Sequence, residues 1–304
     1  MTGQVLLSTH NGQAYLRPLM ESVFGQDCHH LEVLVRDDGS NDDTVSLLRE
    51  YAAGNRSVRV IVGEHIGVAQ SYFELLRMSS AAADFLMLCD QDDVWRGDKV
   101  SRAVGGLARC DPETPVLYCS RVAIVDEALR LLGYSDLPRR GLSFRNALVQ
   151  NVAMGCTIAV NQAARRLLLR RLPRDVCMHD WWMYLVVSAF GQLAYDEEPA
   201  IFYRRHAGNV FGIPLGTAET WRLKVRRFRK FGKLNPVVRQ AEEFSRIFGA
   251  SLPEDHRRVL ERFLESRRRL SRRLRYSVSC DVYRQSTRDH LLLRFLLLVN
   301  RMPC

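Results

Sequence analysis

Three carboxylates, Asp90, Asp92 and Asp93, stand within four positions of one another in "CDQDDVW", directly after the apolar run 85–88. Mutual repulsion and lost hydration both oppose such charge at the mouth of a buried strand. The spacing Asp90-x-Asp92 lets two carboxylates converge on one side of a turn. Few, hard oxygen donors suit Mg²⁺ or Mn²⁺ rather than zinc. A cation held there would neutralise a departing diphosphate. An Asp-rich surface loop is the plain alternative, but the strand before the cluster and Trp95 behind it favour a ligand crevice. In "VRDDGSNDDT" the pair Asp37-Asp38 follows another apolar run, and Gly39-Ser40 turns the chain. A carboxylate there can accept the N3–H of uracil or thymine, and the same residues equally suit an Asx-turn and helix cap. In "MHDWWMYL" Asp180 opens a helix before Trp181 and Trp182, either as a cap or as a general base raised by indoles and neighbouring carboxylates. "YRRHAGNV" adds His206 as a metal ligand and Arg204 or Arg205 as a phosphate contact.

The elements that must position these residues alternate. Strands are predicted at 5–8, 31–35, 58–62 and 83–89, and helices at 14–24, 42–51 and 68–76, the second capped by Asp42 or Asp43. Almost wholly apolar strands interleaved with helices imply a mainly parallel sheet covered on both faces, with ligands at the carboxyl ends of the strands. No GxGxxG follows the first strand, so a dinucleotide fingerprint is missing. Further strands are expected at 116–120, 156–160 and near 201–203, and a helix at 180–190. Beyond Gly216 the pattern becomes helical and rich in arginine. The expected division is a domain over 1–214 and a basic, mainly helical region over 215–304.

The chain has 304 residues with 47% hydrophobic content, enough for one large domain with a smaller helical partner. From the strand-like start no secretory signal is expected, and no apolar run reaches the ~18 residues of a spanning helix. Eight cysteines form no CxxC pair and no zinc-ligand spacing, so reduced thiols in a cytoplasmic compartment are expected. Residues 1–200 carry 20 Lys+Arg against 25 Asp+Glu, while residues 201–304 carry 24 against 9.

Taken in order, "STHNGQAYLRPLMESVFGQ", "RDDGSNDDT", "CDQDDVW", "NVAMGCTIAVN" and "HDWW…YRRH" resemble the motifs of a family 2 glycosyltransferase with the GT-A fold, over roughly residues 4–212. The wording of CDQDDVW and HDWW is similar to the bacterial rhamnosyltransferase-like enzymes of surface polysaccharide synthesis, O-antigen included. The resemblance implies a Rossmann-like α/β GT-A domain that moves a sugar from a dTDP- or UDP-linked donor, with inversion, to a lipid-linked or polysaccharide acceptor. It implies Thr9, His10, Asn11, Asp38, Gly67, Asp90, Gln91 and Arg204 around the nucleotide and donor, and Asp92 with His206 at a Mg²⁺ or Mn²⁺ site. Asp180 would be the catalytic base, and Asn151, Gly155, Cys156, Thr157, Trp181 and Trp182 the sugar and acceptor pocket. One departure stands out: relatives often have Asn-x-Gly-x-x-x-Asn where this chain reads His65 to Ser71, so two amide contacts near the base are lost or replaced.

Two other functions are open at this point. A nucleotidyltransferase shares the fold and metal carboxylates but wants a Gly-rich basic loop, and only Arg17 lies near the first strand. A non-catalytic scaffold is disfavoured because Asp92, Asp180 and His206 are all present. The basic region supplies two amphipathic stretches, one with Trp221, Val225 and Phe228 and one with Val259, Phe263, Leu270 and Leu274. Their charge favours contact with an anionic membrane surface over simple packing, placing the protein at the inner face of the bacterial inner membrane. No nucleic-acid-binding module is recognisable.

Overall fold

The computed structural model describes residues 1–27, 30–206, 213, 216–231 and 234–303. Cys28, Cys304 and the expected boundary positions 212, 214 and 215 lie outside the described residues. Contacts divide the chain into two units: Met1–Leu137, Ala153–Arg170 and Gly191–Ile213 form the first, and Pro138–Val152, Arg171–Phe190 and Pro214–Cys304 the second. The expected division at 214/215 accounts for the last of these segments. The second unit also takes in 138–152 and 171–190.

The first unit begins β1 (Gly3–Thr9), α1 (Gln13–Phe24), β2 (Leu31–Asp37), α2 (Thr44–Gly54), β3 (Val58–Val62), α3 (Val68–Met78) and β4 (Phe85–Asp90). It continues with β5 (Val94–Trp95), α4 (Lys99–Leu107), β6 (Val116–Ser120), β7 (Ala123–Val125) and β8 (Leu131–Tyr134). After α5 (Phe144–Ala147) of the second unit come β9 (Ala159–Asn161) and α6 (Gln162–Leu169). Helix α7 (His179–Phe190) again belongs to the second unit, and β10 (Gln192–Asp196) and β11 (Ile201–Arg204) return to the first. The main sheet has seven strands in the order β10-β6-β9-β4-β1-β2-β3. Strand β9 runs antiparallel to β4 and β6, and the remaining pairings are parallel, so the mainly parallel α/β sheet is present.

Right-handed crossovers put α1 and α2 on one face and force α3, which returns across β1 to β4, onto the other. Accordingly α1 packs beside α2, and α3 beside α6. The strand order reverses between β1 and β4, and a crevice at such a point collects ligands at the carboxyl ends. The predicted strands are present with one shift. Residues 155–157 form a short 3₁₀ turn, and the strand expected at 156–160 begins at Ala159.

Two features escaped the pattern of the sequence. Strand β10 pairs with β6 at the sheet edge. A second sheet, β5-β11-β7-β8, is built from runs of two to four residues, too short to show a period.

The second unit continues with α8 (Thr217–Phe231), α9 (Pro236–Phe248), α10 (Glu254–Ser266), α11 (Leu270–Val278) and α12 (Thr287–Val299). Its core is aromatic: Trp182 lies 6.0 Å from Phe244 and 6.2 Å from Phe248, and Phe144 lies 5.6 Å from Phe244. Val259 and Phe263, expected on an amphipathic surface with Leu270 and Leu274, are buried, whereas Leu270 and Leu274 are exposed. The chain breaks between α10 and α11, so those residues never share one face. No described helix is long and apolar enough to cross a membrane.

Candidate active site

The crevice at the ends of β1, β2, β3 and β4 gathers most of the predicted residues of the first unit. At the end of β2 the two aspartates divide their tasks. Asp37 is fully buried and holds the turn, accepting hydrogen bonds from the Ser40 N–H (2.8 Å) and from the Ser40 and Thr9 hydroxyls (2.6 and 2.9 Å). Asp38, also buried, pairs with Arg36 at 2.5 Å and accepts the N–H groups of Ile66 and Gly67, both at 2.9 Å. Gly67 takes φ +84°, a conformation that side chains disfavour, and this aims its N–H at Asp38. Burial pushes the Asp38 carboxyl up, but the Ile66, Arg36 and Gly67 hydrogen bonds outweigh it and hold the group below its usual 3.8.

Two imidazoles flank Asp38. His65 Nδ1 lies 3.0 Å from Asp38 Oδ2, His10 Nδ1 lies 3.0 Å from the Asp38 carbonyl, and the two rings sit 4.5 Å apart. The segment that departs from the usual pattern contacts its neighbours through two side chains. His65 touches Asp38, and Ser71 joins Ser8 (2.7 Å) to Arg36 (3.1 Å).

After β1 the chain is clamped by a side chain. Gln91 Oε1 accepts the His10 N–H at 2.8 Å and Gln91 Nε2 donates to the His10 carbonyl at 2.9 Å. Asn11, at φ +50°, accepts the Asn41 N–H at 2.9 Å and donates its own N–H to Ser40 at 2.8 Å. Thr9, His10, Asn11, Asp38, Gly67 and Gln91 thus belong to one connected loop cluster.

The acidic segment turns from β4 into β5, which pairs antiparallel with β11. That pairing brings Asp92 to His206, with Nε2 and Oδ2 2.8 Å apart. Arg204 is buried; its Nε donates to the Asp92 carbonyl (3.1 Å) and its Nη1 to the Glu127 carbonyl (2.5 Å). The Tyr15 ring lies 4.7 Å from His206 and 5.2 Å from the Arg204 guanidinium. Asp90 is half-buried and accepts the Tyr72 hydroxyl at 2.8 Å.

Beneath them Asp93 is buried. Burial, then the charges of Asp92 and Asp90, push its carboxyl well above the ordinary range, more than the Cys156 and Arg204 hydrogen bonds pull it down. Lys99 is buried with its ammonium 3.6 Å from the Trp95 ring centre, and burial lowers it to about 8.

Asp90, Asp93 and Cys156 bring ligand atoms within 4.8 Å of one another. Burial raises both the Asp93 carboxyl and the Cys156 thiol, which favours their neutral forms. The carboxylates that could hold a hard divalent cation are Asp90 and Asp93, whose oxygens lie together, and the half-buried Asp92, which contacts His206.

The remaining predicted residues differ in exposure. Gly155, Cys156 and Thr157 are buried in the 3₁₀ turn that packs against β4. In the second unit Asn151 is half-buried, and Asp180 is half-buried at the start of α7 with Oδ1 accepting the Trp181 N–H at 2.6 Å. The Trp181 indole N–H donates to the Ala147 carbonyl at 2.6 Å. Trp182, expected to line a pocket, is wholly inside the aromatic core with Phe244 and Phe248, so it packs rather than lines.

Arg36, Tyr15 and Tyr72 were not singled out from the sequence. Only Arg36 left a signal there, as a charge interrupting an apolar strand one residue before the aspartates.

Comparison with known proteins finds relatives in sequence and in fold. The chain is 22% identical over 223 residues to the dTDP-rhamnosyl transferase RfbG of Shigella flexneri, covering 68% of this chain and 73% of that one. The crystal structure of S. aureus TarS 1–349 in complex with UDP-GlcNAc superposes with a TM-score of 0.59 at 14% identity, over 99% of this chain and 91% of that chain. The mannosyltransferase PcManGT from Pyrobaculum calidifontis, in complex with GDP-Man and Mn²⁺, gives 0.54 at 18% identity, over 97% and 84%. The family model "Glycosyl transferase family 2" matches residues 4–172, more than half of the sequence, and the chain belongs to that family.

Proposed function

We propose that this glycosyltransferase moves rhamnose from a dTDP- or UDP-linked donor, with inversion, onto a lipid-linked glycan at the cytoplasmic face of a bacterial inner membrane. The observation that carries the reading is the Asp92–His206 contact, 2.8 Å across 114 positions of sequence, at the end of β4 beside the nucleotide-type loops. The likeness to a dTDP-rhamnosyl transferase supports the sugar and the base.

In this reading Asp38, His10 and His65 meet the pyrimidine. Asp38 is held anionic and already oriented, so it accepts N3–H without reorganisation. Arg204 supplies positive charge next to the diphosphate. Asp90 and Asp92 with His206 would hold Mg²⁺ or Mn²⁺, and such a cation would supply positive charge to a departing diphosphate. Asp180 removes the acceptor hydroxyl proton as that oxygen attacks the anomeric carbon, with Asn151 near the sugar. The half-buried carboxylate at a helix start supports this role, because such a group is reachable yet partly desolvated.

The test is a panel of nucleotide sugars incubated with Mg²⁺, Mn²⁺ or chelator, reading release of nucleoside diphosphate and the anomeric configuration of the product. Release is expected from the dTDP- or UDP-rhamnose donor. Asp92→Asn should abolish the response to metal. Asp180→Asn should lower kcat by about 10²–10⁴ with little change in donor KM. Full metal-dependent transfer by Asp92→Asn would overturn the central assignment.

A further inference from the structure

Three helices of the second unit expose apolar side chains at a spacing of four residues. On α8 these are Trp221 (48% exposed) and Val225; on α11, Leu270, Leu274 and Val278; on α12, Leu291, Phe295 and Val299. A four-residue spacing places each set on one helix face. The helices adjoin one another. Lys224 of α8 pairs with Asp289 of α12, Arg301 lies 5.6 Å over the Phe228 ring, and α11 packs along α12 with Arg294 donating to the Val278 carbonyl.

We infer that these faces of α8, α11 and α12 are a docking surface for an anionic lipid bilayer, lying in its interface rather than crossing it. The inference rests on the proposal that the acceptor is lipid-linked, and it adds which residues meet the lipid.

Charge selects this occupant. The three helices carry eleven Lys and Arg against two acids, and one of those acids, Asp289, is paired with Lys224. Arg222, Arg226, Arg229, Arg272 and Arg275 are exposed around the apolar stripes. A second copy of the same surface would bring arginines against arginines. Nucleic acid would use the arginines and leave the Leu, Val and Phe faces in water. An anionic interface takes both, with the apolar face below the headgroups and the cations among them. The helices, of 15, 9 and 13 residues, are too short to span a bilayer, and Trp221 has the amphipathic ring that settles at the headgroup boundary.

Trp95, Trp181 and Trp182 are buried, so a fluorescence shift on lipid binding reports Trp221. The full chain is mixed with vesicles of phosphatidylcholine alone or with one third phosphatidylglycerol, and binding is followed by co-sedimentation and Trp emission. Blue-shifted, co-sedimenting protein is expected with phosphatidylglycerol, at least about tenfold weaker with phosphatidylcholine alone or at high salt. Leu274→Glu combined with Phe295→Glu should weaken binding at least about tenfold, with circular dichroism and donor hydrolysis unchanged.

Unaltered binding by the double variant, or no preference for the anionic vesicles, overturns the inference. So does a dimer in light scattering, or retention on single-stranded RNA, that the same two changes abolish. Asp92→Asn should bind vesicles like the parent chain, so loss of the catalytic reading and loss of this one are separately visible.

Discussion

Asp37 and Asp38 are neighbours of identical chemistry with opposite surroundings. Asp37 spends both oxygens on the turn, whereas Asp38 faces the Arg36 guanidinium, two backbone N–H groups and His65. The sequence left turn and base contact as competing readings of one pair; the structure gives the turn to Asp37 and ties Asp38 to Arg36, His65 and the 66–67 backbone. A second residue shows how burial alone sets chemistry. His179 at the start of α7 is 3% exposed, and burial lowers its imidazole to about 3 from 6.5. It stays neutral in the folded chain, so its share of stability is complete above pH 6.5 and is lost as pH falls from there towards 3, while the unfolded chain takes up a proton. Between pH 7 and 5.5 the loss from this residue should be about 1 kcal/mol. Urea unfolding of His179→Leu should show a pH slope flatter by that amount; an identical slope would contradict the assignment.

At the scale of elements, the site depends on how loops are pinned to one another. Gln91 reaches back from the acidic segment and satisfies the His10 backbone twice, which is possible because residue 12 is glycine. A Cβ on Gly12 would stand 2.2 Å from Gln91 Oε1. Gly12→Ala should displace Gln91 and lose both bonds, each contributing roughly 0.5–1.5 kcal/mol. Donor KM is then expected to rise about tenfold with kcat within a few-fold, and Gln91→Ala should match it. Steady-state kinetics giving an unchanged KM for both would show the clamp to be idle. The second sheet does comparable work on a longer scale. The β5–β11 pairing, together with the Arg204 hydrogen bond to the Asp92 carbonyl, holds Asp92 at His206.

For the whole molecule, the division into units predicts how the chain tolerates cutting. The segments 138–152 and 171–190 contribute Phe144 and Trp182 to a core completed by Phe244 and Phe248 of α9 and by His256 of α10, whose ring lies 4.7 Å from Phe144. A chain ending at Ile213 would expose these rings, each worth roughly 3–5 kcal/mol against alanine in such a core. It should express as aggregated material, while the full chain elutes as a defined species in size-exclusion chromatography. A soluble, cooperatively melting 1–213 fragment would count against the shared core.

The alternation of strands and helices, the strand ends that carry Asp38 and Asp90 to Asp93, and the imbalance of charge were legible in the sequence. Each is a local property: a hydrophobic period, a turn-forming run, a count of like charges. What the tertiary structure alone decided are the meetings between distant segments: Arg36 with Ser71, Gln91 with His10, Asp92 with His206, and Trp182 with Phe244. Such contacts arise from strand order and from burial inside a particular core, and neither leaves a periodic trace along the chain. For the same reason Val259 and Leu270, alike on paper, part company: one fills a core and the other meets solvent.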